Sequence, residues 1–210
     1  MTIRYLLGTA LIAAAASVTQ AQSTPDAVRL TASADSKLWI EGTSSLHGWS
    51  CKATSLDVAI DMDPSYASAT DVAAAARLVR SVRVRVPVDK LDCGNGKMND
   101  IMRDALKAKS SPDIGYVLGR FEVAPGSAAD SARIDAGGEL TIAGVTRPAR
   151  MTIAVGHMPD GTVRSTATVP VLMTDFGVKP PTAFFGTLRT GNRVLVKFDV
   201  LVAPPTPGAR

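Results

Sequence analysis

From Ser81 to Val88 the chain reads Ser-Val-Arg-Val-Arg-Val-Pro-Val. On an extended backbone Val82, Val84, Val86 and Val88 face one way, and Arg83, Arg85, Pro87 and Asp89 face the other. A period of two with one wholly apolar face describes an antiparallel strand with one side in a core and the other in water. Such a strand needs neighbours on both edges, so the rest of the chain must supply a sheet. The Arg83/Arg85 pair is an anion-site candidate, but a solvated outer face is the better reading of arginines that alternate with valines.

The neighbours are legible. Leu38 and Ile40 lead into a polar turn at Gly42-Thr43-Ser44-Ser45, and Trp49, Cys51 and Ala53 alternate with polar residues in a strand extending through Leu56, Val58 and Ile60. Ile114, Tyr116 and Leu118, then Phe121 and Val123, mark another strand before the Ala124-Pro125-Gly126-Ser127 turn. Leu140 and Ile142 precede a turn read at Gly144 to Pro148, followed by alternation at Met151, Ile153 and Val155. Pro159-Asp160-Gly161 is a hairpin turn, with glycine where a positive φ is wanted. Val163 to Leu172 and Val194 to Leu201 complete the set, the latter introduced by a turn at Thr190-Gly191-Asn192. Residues 61–76 change character and read as a loop or short exposed helix at Ala73 to Ala76.

One stretch has helical spacing. Over residues 96–109, Met98, Ile101, Met102, Ala105 and Leu106 share a stripe; Asn95 caps the start, and Pro112 forbids continuation. The expected fold is all-β with this one short helix: an antiparallel sandwich or barrel of about eight strands. About 190 residues after the leader suit one domain.

The first residues carry an address. Arg4 precedes an uncharged apolar stretch from Tyr5 to Val18, and Thr19-Gln20-Ala21 places small residues where signal peptidase cuts. Residues 1–21 are therefore expected to be a cleaved signal peptide, and the protein is expected in the periplasm. The stretch is shorter than the roughly 20 apolar residues of a membrane span, so stable membrane insertion is not expected. Residues 22–29 read as a polar lead-in and 203–210 as a disordered Pro-rich tail. In an oxidising compartment the two cysteines, Cys51 and Cys93, are expected to form a disulfide. The formal net charge of +4 reads as solubilising rather than nucleic-acid binding, because the basic residues are scattered without interleaved aromatics.

Catalytic and metal motifs are weak. Gly42-Thr43-Ser44-Ser45-Leu46 lacks the second glycine of a nucleophile elbow, and no strand-to-helix crossover presents one. His47 and His157 are far apart in sequence, with no carboxylate at ligand spacing, and there is no phosphate-binding loop. No enzymatic activity, cofactor or metal is expected. Gly94-Asn95-Gly96-Lys97 reads as a turn and helix cap in preference to an anion nest. What remains is apolar: the soft face of Met98, Met102 and Leu106, and Phe184-Phe185 in a Gly- and Pro-rich loop after Asp175-Phe176-Gly177. These residues suit a ligand pocket and an ordinary core about equally.

Four stretches together resemble the YceI-like family: Gly42 to Trp49 (GTSSLHGW); Lys97-Met98-Asn99-Asp100 with Met102 and Ala105 to Ala108; Gly138 to Thr146 (GELTIAGVT); and Thr174 to Val178 (TDFGV). They run in the family's order within residues 30–202. The resemblance implies an extended, lipocalin-like antiparallel barrel and a polyisoprenoid ligand such as a prenyl quinone or prenyl phosphate. Candidate ligand-binding residues are Leu46, His47, Trp49, Met98, Met102, Leu106, Phe176, Phe184 and Phe185. The alternative is a non-enzymatic interaction or stress-response factor whose barrel is filled by its own side chains. A cavity beneath the 98–106 helix discriminates the two.

Overall fold

The computed structural model describes residues 27–128, 130–183 and 187–203. The leader, the tail beyond Ala203 and Phe184-Phe185 lie outside them.

Twelve strands form one antiparallel system: β1 (Val28–Thr31), β2 (Lys37–Ser44), β3 (Gly48–Ala53), β4 (Asp57–Met62), β5 (Val79–Pro87), β6 (Leu91–Asp92), β7 (Asp113–Pro125), β8 (Ser131–Ile142), β9 (Val145–His157), β10 (Val163–Leu172), β11 (Thr182–Ala183) and β12 (Leu188–Val202). Among the described residues two α-helices interrupt them, α1 (Val72–Ala76) and α2 (Gly96–Ala105). The pairing path is β1-β4-β5-β7-β8-β9-β10-β12-β2-β3-β6, with β11 on β12. Strand β5 runs into β6 through a single 3-10 turn, Val88–Lys90, and Ser33 N donates to Leu201 O on β12 at 2.7 Å. The two ends of the path therefore lie on neighbouring chain, and the sheet curls into a barrel.

The expected count of about eight strands is corrected upward. Runs that read as continuous in sequence are broken by short turns. The alternation from Trp49 to Ile60 contains residues 54–56, where the Thr54 N–H and hydroxyl both donate to Lys90 O, which splits it into β3 and β4. Both halves still pair with the β5–β6 segment, Ala53 opposite Leu91 and Asp57 opposite Arg85. Two turn expectations also shift. Only Ala143 and Gly144, both at positive φ, make the β8–β9 turn, so Thr146, Arg147 and Pro148 belong to β9. Thr190-Gly191-Asn192 is an irregularity inside β12, not a turn before it.

The strand expected at 81–88 lies within β5 as far as Pro87, with Val88 opening the 3-10 turn: Val86 is buried, while Arg85 stands outside between Asp57 and Asp113. Helix α2 begins at Asn95, whose side chain accepts from Met98 N, so Gly94 to Lys97 is a cap. It stops at Ala105, short of residue 109, because Lys107 turns left-handed (φ 56°) and Ala108 N reaches back to Arg103 O at 2.9 Å. That 6→1 bond and the Lys107 N to Asp104 O bond form a Schellman closure.

The Ala-rich stretch at Ala73 to Ala76 lies in helix α1. Asp71 caps it by accepting from Ala74 N at 2.7 Å. It is not an exposed helix: Val72 is 2% exposed and packs with Ala132 and Val155 of the barrel. Asp130 fixes its first turn, accepting from Val72 N at 2.9 Å through Oδ1 and holding His157 Nδ1 at 2.5 Å through Oδ2.

Candidate functional site

The barrel has two ends. At one lie the β2–β3 turn, the starts of β7, β9 and β12, and α2. At the other lie the ends of β7, β9 and β12, and α1. Between them runs a cavity of about 690 Å³. Its wall is largely aliphatic: Val82, Val84 and Val86 of β5, Ile153 and Val155 of β9, Val169 and Val171 of β10, and Val194, Val196 and Val200, with Phe198, of β12. Period-two alternation puts these side chains on one face of each strand, so curling the sheet makes that face the interior. No charged or polar residue is fully buried among the described residues. The interior is not filled by its own side chains, which was the discriminating observation.

Helix α2 lies over one end. Met98, Ile101, Met102, Ala105 and Leu106, the stripe read from sequence, all line the cavity. Ala105 and Leu106 pack against the cluster that includes Val169, Val171, Phe176 and Val194. The disulfide is present between Cys51 and Cys93, and both cysteines line the wall. Cys51 follows the β3–β6 ladder of Lys52 with Asp92 and Ala53 with Leu91, so the bridge stands where the next cross-strand pair would be. Met102 Sδ sits 3.7 Å from Cys93 Sγ, which ties the bond to the helix face.

The remaining candidates separate by position. His47 is exposed at the β2–β3 turn and also lines the cavity, so the lining reaches the surface there. Its Nδ1–H donates to Gly48 O at 2.7 Å, and its backbone N–H donates to Ser44 Oγ at 3.2 Å. Trp49 lines the wall with its indole N–H on Thr43 O at 3.2 Å. Phe176, 5% exposed, lines it from a 3-10 turn closed by Gly177 at φ 65°. Leu46 stands apart: it is 73% exposed at the turn tip and is not part of the wall.

The far end was missed. Tyr66, Val72, Ala75 and Ala76 line the cavity there, with His157 beside them. Burial pushes the Tyr66 hydroxyl above its usual range. The Asp71 cap and the Val72/Ala76 spacing were the available signals, but five residues are too few for a periodicity to stand out.

The geometry offers containment and little chemistry. Among the described residues no carboxylate is hydrogen-bonded to His47, and Asp130 and His157 are engaged in holding α1. Among the described residues no group of three His, Cys, Asp or Glu could hold a metal, and no helix is long and apolar enough to cross a membrane.

These features define a class: an extended antiparallel barrel around an apolar cavity with a helix at each end. The YceI-like domain model matches residues 43–202, and the chain belongs to that family. No curated protein matched the sequence. Solved structures share the fold at low identity. BcnA of Burkholderia cenocepacia is 19% identical with a TM-score of 0.60, over 80% of this chain and 96% of that one. A polyisoprenoid binding domain from Saccharophagus degradans, implicated in plant cell wall breakdown, is 12% identical with a TM-score of 0.61, over 84% and 98%. The Campylobacter jejuni YceI protein is 17% identical with a TM-score of 0.54, over 74% and 85%.

Proposed function

We propose that this protein is an exported, non-enzymatic carrier or store for an apolar lipid of the polyisoprenoid class, a prenyl quinone or a prenyl phosphate, held inside the barrel. The observation that carries this reading is the end-to-end cavity of about 690 Å³ walled by Val, Ile, Leu and Met. Burying a branched hydrocarbon chain there contributes about 0.8 kcal/mol per CH₂-sized group before ordering costs. Shape and apolarity suffice for the tail, and the Met side chains of α2 adapt to its methyl branches. The family membership and the Saccharophagus degradans neighbour support the ligand class. The apolar leader at residues 1–21 and the Cys51–Cys93 bridge support export to the periplasm.

The test is native mass spectrometry of the protein from its own host, followed by lipid extraction. A co-purifying prenyl lipid is the expected result. A Val169→Trp variant, which places a ring across the lumen, should remain folded and lose it. An empty barrel that also fails to quench or shift the fluorescence of added prenyl quinones and prenyl phosphates would overturn the reading.

A further inference from the structure

We propose that the α2 end of the barrel is a docking face for an anionic lipid bilayer surface. This goes beyond the cargo reading and does not depend on which lipid is carried. The rim at this end is one connected surface. Ser45 N donates to Arg189 O at 2.9 Å; the Asn192 side chain holds Thr174 N and Thr174 Oγ1; Arg147 Nε donates to Asp175 O at 3.1 Å. The turn after α2 joins it where Ser111 Oγ approaches Gly144.

On that rim Lys107, Lys109, Arg147, Lys179 and Arg193 are all exposed. Among the described residues none of these five forms an ion pair. Asp175, Asp104 and Asp89 share this end with them; Asp89 is engaged by Lys90, and Asp100, on α2, by Arg103. The opposite end is richer in carboxylates. Asp35, Asp63, Asp71, Asp130 and Asp160 gather there, and Arg29, Arg80 and His157 are held by carboxylates. Exposed Arg77 stands at that end too, so the difference between the ends lies in the five rim cations that no carboxylate engages at the α2 mouth. A negative surface turns the α2 mouth toward itself and repels the α1 end.

Apolar groups stand among these cations. Leu46 projects from the β2–β3 turn at 73% exposure, one residue from His47, where the lining reaches the surface. Leu172 is 42% exposed and pairs across strands with Arg193. Cations with protruding leucines match a headgroup layer over hydrocarbon. Leu46 thereby gains a role that the cavity wall does not give it.

The experiment is co-sedimentation with phosphatidylcholine vesicles, with and without phosphatidylglycerol, at low and high salt. Binding should need the anionic lipid and fall with salt. The triple variant Lys107→Glu/Lys109→Glu/Arg193→Glu should bind on the order of 100-fold more weakly. A wall variant of equal charge change, Lys52→Glu/Arg120→Glu/Arg150→Glu, should lose far less. All proteins share one N-terminus, so any contribution from the leader cancels. Thermal midpoints confirm folding, and lipid uptake in vesicle-free solution separates this proposal from the cargo reading. Indifference to phosphatidylglycerol, an equal loss in the wall variant, or capture of an acidic protein without vesicle binding would each overturn it.

Discussion

The indole of Trp49 lies directly on Gly42, its partner across the β2–β3 ladder. A Cβ on Gly42 would overlap Cζ2 and Cε2 of the ring. The missing side chain is what lets the tryptophan lie flat and form part of the cavity wall.

Gly42→Ala should therefore destabilise the fold by about 1–3 kcal/mol, the usual range for overpacking. Gly48→Ala is the matched control: its nearest neighbour would be Gly42 O at 3.6 Å, an ordinary contact. Denaturant unfolding of both variants checks this. Equal midpoints would show that the ring moves aside freely.

Breaking the disulfide should cost more. Cys51 and Cys93 are 42 residues apart, and chain-entropy estimates for such a loop give about 4 kcal/mol as an upper figure. Cys51→Ala/Cys93→Ala should lower the urea midpoint and loosen α2, read as faster amide exchange over residues 98–106. Thiol titration of the denatured, unreduced protein should find no free cysteine.

Asp130 should act as the latch of the far end. Asp130→Gly keeps the positive φ of 50° and removes both hydrogen bonds. Exchange of the Val72 to Ala76 amides should accelerate, with a loss on the order of 1–2 kcal/mol. Unchanged exchange in that segment would show that Val72 packing alone holds α1.

Acid should weaken the fold in a defined window. The Ser65 hydroxyl and N–H, with Arg80, hold Asp63 from its usual 3.8 down to about 2. Asp61 is lowered by Arg29 and Ser81, and Asp199 by Arg164. Carboxylates depressed in the folded state contribute stability that is present above their unfolded value and lost as pH falls through the folded one. The thermal midpoint should stay level from neutrality to about pH 5 and fall between about pH 4 and pH 2. Asp63→Asn should shrink that fall. An unchanged profile in that variant would mean that the pair is screened into irrelevance.

Much of this was legible because strands and one helix carry their burial in their spacing. Val82, Val84 and Val86, read as the inward face of a strand, and the 98–106 stripe, read as pocket or core, all line the cavity. Three things were not legible. The Trp49 to Ile60 alternation passes through residues 54–56 without losing its pattern, so the break is invisible until Thr54 is seen capping onto Lys90 O. Helix α1 depends on Asp130, which is 58 residues from Val72. Leu46 stands among the ligand-binding candidates, yet a two-strand turn leaves its tip no interior to enter.

Two cavity-lining sulfurs are joined to each other, and a third lies against them. The wall of the container thus includes a bond that translation alone does not make. Beside that bond, the segment leading into α2 is held by hydrogen bonds such as Cys93 N to the Asn99 side chain and Asn99 to Asp92. Oxidation completes the vessel, so sealing follows synthesis as a separate event, and a chain kept reduced is a vessel with a loose rim.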